Sequence, residues 1–214
     1  MKNFNEGKLL PSNYSGAEAK FRILFDDEIY MVKIPKRNET RKAEISYVNS
    51  QFSEHIGSNI FRLCGFEAQE TELGFYTDFK GVTKVVVACK DFTQDGSVLY
   101  EFLNLSKFRM NSHELRDCNI EDVYDLIKEN PLLNDKEVLV EKFWDMFVVD
   151  ALIGNRDRHL GNWGLLEKDG NLRFAPIYDC GSTLNPLINE NNVEDYRYQK
   201  IVYRIQSFLS SRKD

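Results

Sequence analysis

The stretch FWDMFVVDALI, residues 143–153, is apolar at nine of its eleven positions and runs straight into the polar loop GNRDRHLGN. A helix that is apolar on nearly every side is stable only when protein surrounds it, so this segment predicts the buried centre of the chain's second half. Asn134, with Glu137 three residues on, has the spacing of a capping box, and the helix it starts runs to about Gly154. Asp157, His159 and Asn162 then fall within six residues, in a chain with three histidines in all. A loop that merely joined two elements would need none of them, whereas polar residues displayed by a buried scaffold are where chemistry is usually found.

Upstream of this helix the pattern is that of strands. Phe21 to Phe25 and Ile29 to Ile34 are short β-rich runs around Asp26-Asp27-Glu28, which predicts a hairpin with Lys33 inside its second strand. Ile45, Val48, Phe52, Ile56, Ile60 and Leu63 recur at helical spacing, so a helix is expected from Ala43 to Cys64, with Glu54 off its apolar stripe. Strands are expected over Ala68–Tyr76 and Val82–Lys90, joined by a turn with Asp78 and Gly81. Asn119 can cap a helix from Ile120, with Pro131 beyond its end. Trp163–Leu166 and Leu172–Ile177 read as strands flanking the hairpin signal Asp169-Gly170, and Asp179 follows the second. Ile201, Val202, Ile205 and Phe208 mark a last amphipathic helix. The fold class this predicts is α+β, with a β-rich first lobe, a helical second lobe and a polar loop between them.

Composition removes several function classes. The 28 Lys and Arg against 34 Asp and Glu leave a net charge of −6, which disfavours nucleic acid as a partner. No run approaches the roughly 18 apolar residues of a membrane span, and no apolar leader is evident at the N-terminus, so a soluble, unprocessed protein is expected. Cys64, Cys89, Cys118 and Cys180 form no close pair, which predicts reduced, buried thiols rather than a zinc ribbon or a disulfide framework.

Asp157 and Asn162 stand five apart, the separation of Asp and Asn in the protein-kinase loop H-R-D-x-x-x-x-N. Asp179 is followed by Cys180-Gly181, a D-x-G where protein kinases have D-F-G, and Lys33 on an early strand with a Glu on the next helix supplies the remaining pair. Each residue alone has an ordinary explanation: a solvent-facing strand lysine, a turn-capping Asp, a His satisfied by a carbonyl. Together they stand in kinase order on the element types a kinase uses. Phosphoryl transfer needs this set: a carboxylate to take the hydroxyl proton, oxygen ligands for a cation, and a lysine on the phosphates.

The order D-R-H, rather than H-R-D, is shared with HipA-like kinases and with phosphatidylinositol kinases. FDDEIYMVKIP, FSEHIGSNIFRLCGFEAQET, VVACKDFT, FWDMFVVDALIGNRDRHLGNWG and APIYDCGS closely resemble the HipA-like Ser/Thr kinases over roughly residues 15 to 186. The resemblance implies a bilobal protein-kinase-like fold, with residues 1–92 as an N-lobe carrying a phosphate loop, an antiparallel sheet and one helix. Residues 93–214 would form a helical C-lobe, shorter than the family's. It also implies ATP and Mg²⁺ as cofactors, with Asp157 as catalytic base, His159 holding that Asp or the phosphates, and Asn162 and Asp179 on the metal. Lys33 matches the phosphate lysine, paired with Glu54 or alternatively Glu44.

Ser15, Gly16 and Ala17 resemble the family's phosphate loop, in which a serine can be autophosphorylated and alter ATP binding; Asn13 stands where other members have that serine. Cys89, Lys90 and Asp91 complete the implied nucleotide-binding set. The implied partners are a protein with a Ser/Thr acceptor and an antitoxin-like or complementing protein. The expected location is the cytoplasm, with secretion or translocation as an effector left open. A phosphoinositide-type lipid kinase and a truncated pseudo-kinase acting as a binding module are the rival readings.

Overall fold

A computed structural model describes residues 1–11, 19–35, 49–107 and 118–186. Its larger sheet has six strands: β1 (Lys2–Asn3), β2 (Lys8–Leu10), β3 (Ala19–Phe25), β4 (Glu28–Ile34), β5 (Thr71–Thr77) and β6 (Thr83–Lys90). They lie in the order β1-β5-β6-β4-β3-β2, antiparallel except for the β1–β5 pair. The β3–β4 hairpin turns through Asp26 and Asp27, both with positive φ, a conformation that short polar side chains tolerate. Tyr30 and Val32 point into a core with Phe4, Ile23, Val86 and Ala88. Period-two alternation therefore sends Met31 and Lys33 to the opposite face.

α1 (Ser50–Leu63) packs on β5 and β6. The expected start of this helix at Ala43, and Glu44 with it, lie outside the described residues, as do Ser15, Gly16, Ala17 and the helix around Ile201–Phe208. α1 ends near Gly65, and the chain then pairs with the strand-like segment ahead of Asp179: Gln69 N–H donates to the Ile177 carbonyl and Ile177 N–H to that of Glu67, each at 2.8 Å.

The remainder comprises β7 (Val98–Glu101), α2 (Phe102–Ser106), α3 (Ile120–Glu129), α4 (Lys136–Ile153), β8 (Gly164–Lys168) and β9 (Asn171–Phe174), with β7, β8 and β9 as a second sheet. Asn119 caps α3 in a full capping box with Asp122. The expected box at Asn134 is not made: Asp135 precedes α4 in a left-handed conformation without a side-chain cap, and Glu137 pairs instead with Lys128 at 2.9 Å. The ion pair from the end of α3 has taken the side chain that a box would use. β9 stops at Phe174, short of the expected Ile177: Ala175 N–H still donates to the Gly164 carbonyl of β8, and Ile177 then bonds with the loop after α1.

α4 buries Leu139, Phe143, Met146, Val149 and Ile153 in a core with Trp163, Phe102 and α3. It is not enclosed on every side as expected, since Val148 and Leu152 are exposed among the described residues. All four cysteines are free, and Cys89 and Cys180 are buried as expected. Cys64 is exposed because it terminates α1 at the surface. No helix among the described residues is long and apolar enough to cross a membrane.

β1 reaches its neighbour only because Gly74 has no side chain. A Cβ there would stand 2.5 Å from the Lys2 carbonyl oxygen and 2.4 Å from Phe4 Cε2. Gly74→Ala is expected to cost about 1–3 kcal/mol of stability through overpacking, read as a lower urea midpoint with an unchanged slope.

Candidate active site

Lys33 leaves β4 on the face turned toward α1, and its ammonium donates to Glu54 Oε2 at 2.8 Å and to Asp179 Oδ1 at 3.0 Å. Glu54 is 1% exposed, and its other oxygen accepts the Cys180 N–H at 3.0 Å. Burying a single ion pair costs desolvation that Coulomb attraction alone often fails to recover. Here a second carboxylate and a backbone donor complete the set. Burial alone would push the Lys33 ammonium down, but Glu54 and Asp179 outweigh it and hold the group well above the ordinary lysine value. Asp179 is likewise pushed up by burial but held below the usual carboxylate range by Lys33. Lys33 and Asp179 therefore both carry their charges at neutral pH.

The loop that bears Asp157 hangs from the end of α4. Gly154 closes the helix in the left-handed region, with its N–H on the Asp150 carbonyl. The Asp150 side chain accepts Arg158 Nε at 2.8 Å, Arg158 Nη2 at 3.2 Å and Asn155 Nδ2 at 2.7 Å. Arg158 Nη1 donates to the carbonyls of Asn162 and Tyr178. One buried guanidinium thus ties α4 to both ends of the polar loop and to the residue before Asp179. Sequence reasoning passed over Arg158 and Asp150. The available signal was Asp150 itself, a carboxylate inside an apolar helix segment, which must find a partner when buried.

Asp157 and Asn162 meet through the main chain: Asn162 Nδ2 donates to the Asp157 carbonyl at 2.6 Å, and Asn162 Oδ1 accepts none of the hydrogen bonds found among the described residues. The Asp157 carboxylate accepts none of the hydrogen bonds found among the described residues. Burial and the nearby Asp179 charge raise its pKa, while His159 and Arg158 oppose the rise. His159 stays within its own loop, where its Nδ1 accepts the Gly161 N–H at 3.1 Å rather than engaging the Asp157 carboxylate.

Cys89 is buried opposite Met31, next to the Lys33 register, and burial pushes its thiol well above the ordinary value; burial likewise pushes the Cys180 thiol up to about 12. Neither is a thiolate nucleophile at neutral pH. Lys90 pairs with Glu28, and Asp91 with Arg22, both at 2.8 Å. The Lys90 and Asp91 N–H groups are held by the carbonyls of Glu70 and Ile29. Lys90 and Asp91 also border a cavity of about 470 Å³ with Phe66, Ala68, Phe92 and Pro176. None of Lys33, Asp157, Asn162 or Asp179 lines it, so it is separate from the charged cluster.

The HipA-like C-terminal domain model matches residues 12–208. The chain is 40% identical over 196 residues to the serine/threonine-protein kinase CtkA of Helicobacter pylori, which covers 90% of this chain and 57% of that protein. The crystal structure of a Helicobacter pylori proinflammatory kinase, CtkA, superposes with a TM-score of 0.76 at 38% identity, covering 90% of this chain and 64% of that one. The chain thus spans less than two thirds of these relatives. HipA from Shewanella oneidensis, solved with HipB and operator DNA, shares the fold at a TM-score of 0.50 and 12% identity, over 81% of this chain and 44% of that one.

Arg158→Met would strand the Asp150 carboxylate in the interior. A loss of about 3–5 kcal/mol is expected from urea unfolding, with partial recovery in Arg158→Met/Asp150→Leu, which removes both charges.

Proposed function

This chain belongs to the HipA-like C-terminal domain family, and from that premise we propose that it is an ATP-dependent Ser/Thr protein kinase of the CtkA type. The observation that carries the proposal is the Lys33 ammonium held between Glu54 and Asp179, in one cluster with a loop that presents the Asp157 carboxylate and the Asn162 amide oxygen.

The donor set fits a nucleotide with its cation. Mg²⁺ takes one or two carboxylates together with phosphate oxygens, and no group of three His, Cys, Asp or Glu among the described residues could hold a metal by itself. Asp179, its side chain 43% exposed, and Asn162 Oδ1 would be its protein ligands. The chemistry a cation held there would supply is neutralisation of the charge on the phosphates.

Lys33, kept protonated and pointed by Glu54, would donate to the phosphate oxygens. Asp157 would accept the proton of a Ser or Thr hydroxyl as that oxygen attacks the terminal phosphorus and the bond from that phosphorus to the bridging oxygen breaks, releasing ADP; its raised pKa suits it to holding a proton. Arg158 fixes the loop from behind, so that Asp157 and Asn162 keep their spacing. The acceptor is a protein hydroxyl in this reading, and the antitoxin-like or complementing partner belongs to the same proposal. Glu54, Lys33, Asn162 and Asp179 form one set from four parts of the chain, with Asp157 unengaged among the described residues, which favours turnover over a binding-only role.

Incubation with labelled ATP and Mg²⁺, with a generic protein acceptor and with phosphoinositide vesicles, tests this directly. Label on protein is expected. Label confined to lipid, or nucleotide binding without transfer, would overturn it. Asp157→Asn should lower transfer by about 10² to 10⁴ while leaving nucleotide affinity near wild type. Asp179→Ala should instead weaken Mg²⁺–ATP binding itself, read by titration with and without the metal.

A further inference from the structure

Beyond the charged cluster, α1 and the segment after Asp179 are joined by contacts that touch no reacting group. Ser53 Oγ donates to the Thr183 carbonyl at 2.7 Å, and Thr183 Oγ1 donates back to the Ser53 carbonyl at 3.0 Å. Both residues are buried, at 4% and 0% exposure. A turn further along, Gly57 forms a notch: a Cβ there would lie 2.8 Å from Cys180 Cβ and 3.0 Å from Thr183 Oγ1. At the start of the helix, Asn49 N–H donates to the Pro186 carbonyl at 3.1 Å.

The same segment is fastened on its other side. Leu184 N–H donates to the Ile153 carbonyl, the last residue of α4, at 2.9 Å. Arg156 N–H donates to Ser182 Oγ at 3.3 Å, and Ser182 Oγ in turn to Asn155 Oδ1. Residues 180–186 thus form a strap with α1 on one side and the root of the Asp157 loop on the other.

We propose that Ser53 and Thr183 are positioning residues for phosphoryl transfer, a reciprocal clasp that sets α1 at the height where Glu54 meets Lys33 and the Cys180 N–H together. The clasp is selective for that height. An α-helix rises about 1.5 Å per residue, so a slip of one residue along the strap breaks both hydroxyl bonds and leaves buried groups without partners. The close approach also depends on glycine at position 57, where any Cβ would run into Cys180 and Thr183. Ser53 directly precedes Glu54, so nothing flexible separates the clasp from the carboxylate it places. Misplacing such a group by about 1 Å is enough to cost on the order of a hundredfold in rate.

This inference rests on the kinase reading, and its test separates the two. Thr183→Val keeps the shape and removes the hydroxyl; Thr183→Ser keeps the hydroxyl. Thr183→Val is expected to lower turnover about tenfold, the scale for losing one buried hydrogen bond, and to speed deuterium uptake across residues 50–63 without changing it across α4. Thr183→Ser should restore both. Ser53→Ala, which removes the other hydroxyl, should behave like Thr183→Val.

In a Glu54→Gln background, where the carboxylate is gone, Thr183→Val should add less than a further twofold loss of turnover while still speeding exchange in α1. The same fold loss in both backgrounds would make Thr183 a general stability residue and overturn the proposal, as would unchanged exchange in α1. A wild-type chain that transfers no phosphate would refute the kinase reading alone, and the exchange measurements would then decide whether the clasp holds α1.

Discussion

A single buried guanidinium, that of Arg158, sets the geometry on which the candidate site depends. Its charge is matched by Asp150 on α4, and its remaining donors reach the Asn162 and Tyr178 carbonyls. Arginine suits this position because its planar fork offers five donors in fixed directions and cannot shed its proton; a lysine could match the charge but not the directions. The interaction is costly to break and ties the loop to α4, whose Phe143 and Met146 pack in one core with Trp163. Asp157 and Asn162 flank the arginine in sequence, and Asp179 follows the residue whose carbonyl it binds. Their mutual positions are therefore set by one side chain.

On that frame the charges divide into two opposed environments. Lys33 and two carboxylates form a nearly closed network in which the Lys33 ammonium is held charged and Asp179 is held low. Asp157 lies outside the network, has no hydrogen-bond donor on its carboxylate among the described residues, and is pushed upward partly by Asp179 itself. Two aspartates of one site are thus separated by their surroundings into a permanently charged one and a more proton-accepting one. This pattern suits a metal ligand beside a base.

The strap of residues 180–186 gives the arrangement its mechanical unity. It ties α1 to the root of the loop through Ser53, Thr183, Ser182 and Asn155, so that the helix bearing Glu54 and the loop bearing Asp157 share one support. The glycines at positions 57 and 181 allow the close approach, with a Cβ at position 181 falling 3.2 Å from Glu54 Oε2. Small residues at these positions are a packing requirement of the site.

By itself the sequence determined whatever depends on local spacing. The β3–β4 hairpin followed from Asp26-Asp27, the α3 cap from Asn119, and the relation of Asp157 to Asn162 from five residues of chain, because backbone geometry relates neighbours with little freedom. Family resemblance added Lys33, Glu54 and Asp179 as a set. Only the tertiary structure decided the rest. Asp150 was an unexplained carboxylate until α4 and the loop came together. Glu137 left its expected cap for Lys128 nine residues away. His159 bonded to Gly161, Ile177 paired with the loop after α1, and Ser53 met Thr183 across 130 residues. Each outcome is a choice among competing partners made by whichever group the packed core brings within about 3 Å in the right direction, and hydrogen bonds are too short-ranged and directional for spacing along the chain to foretell it.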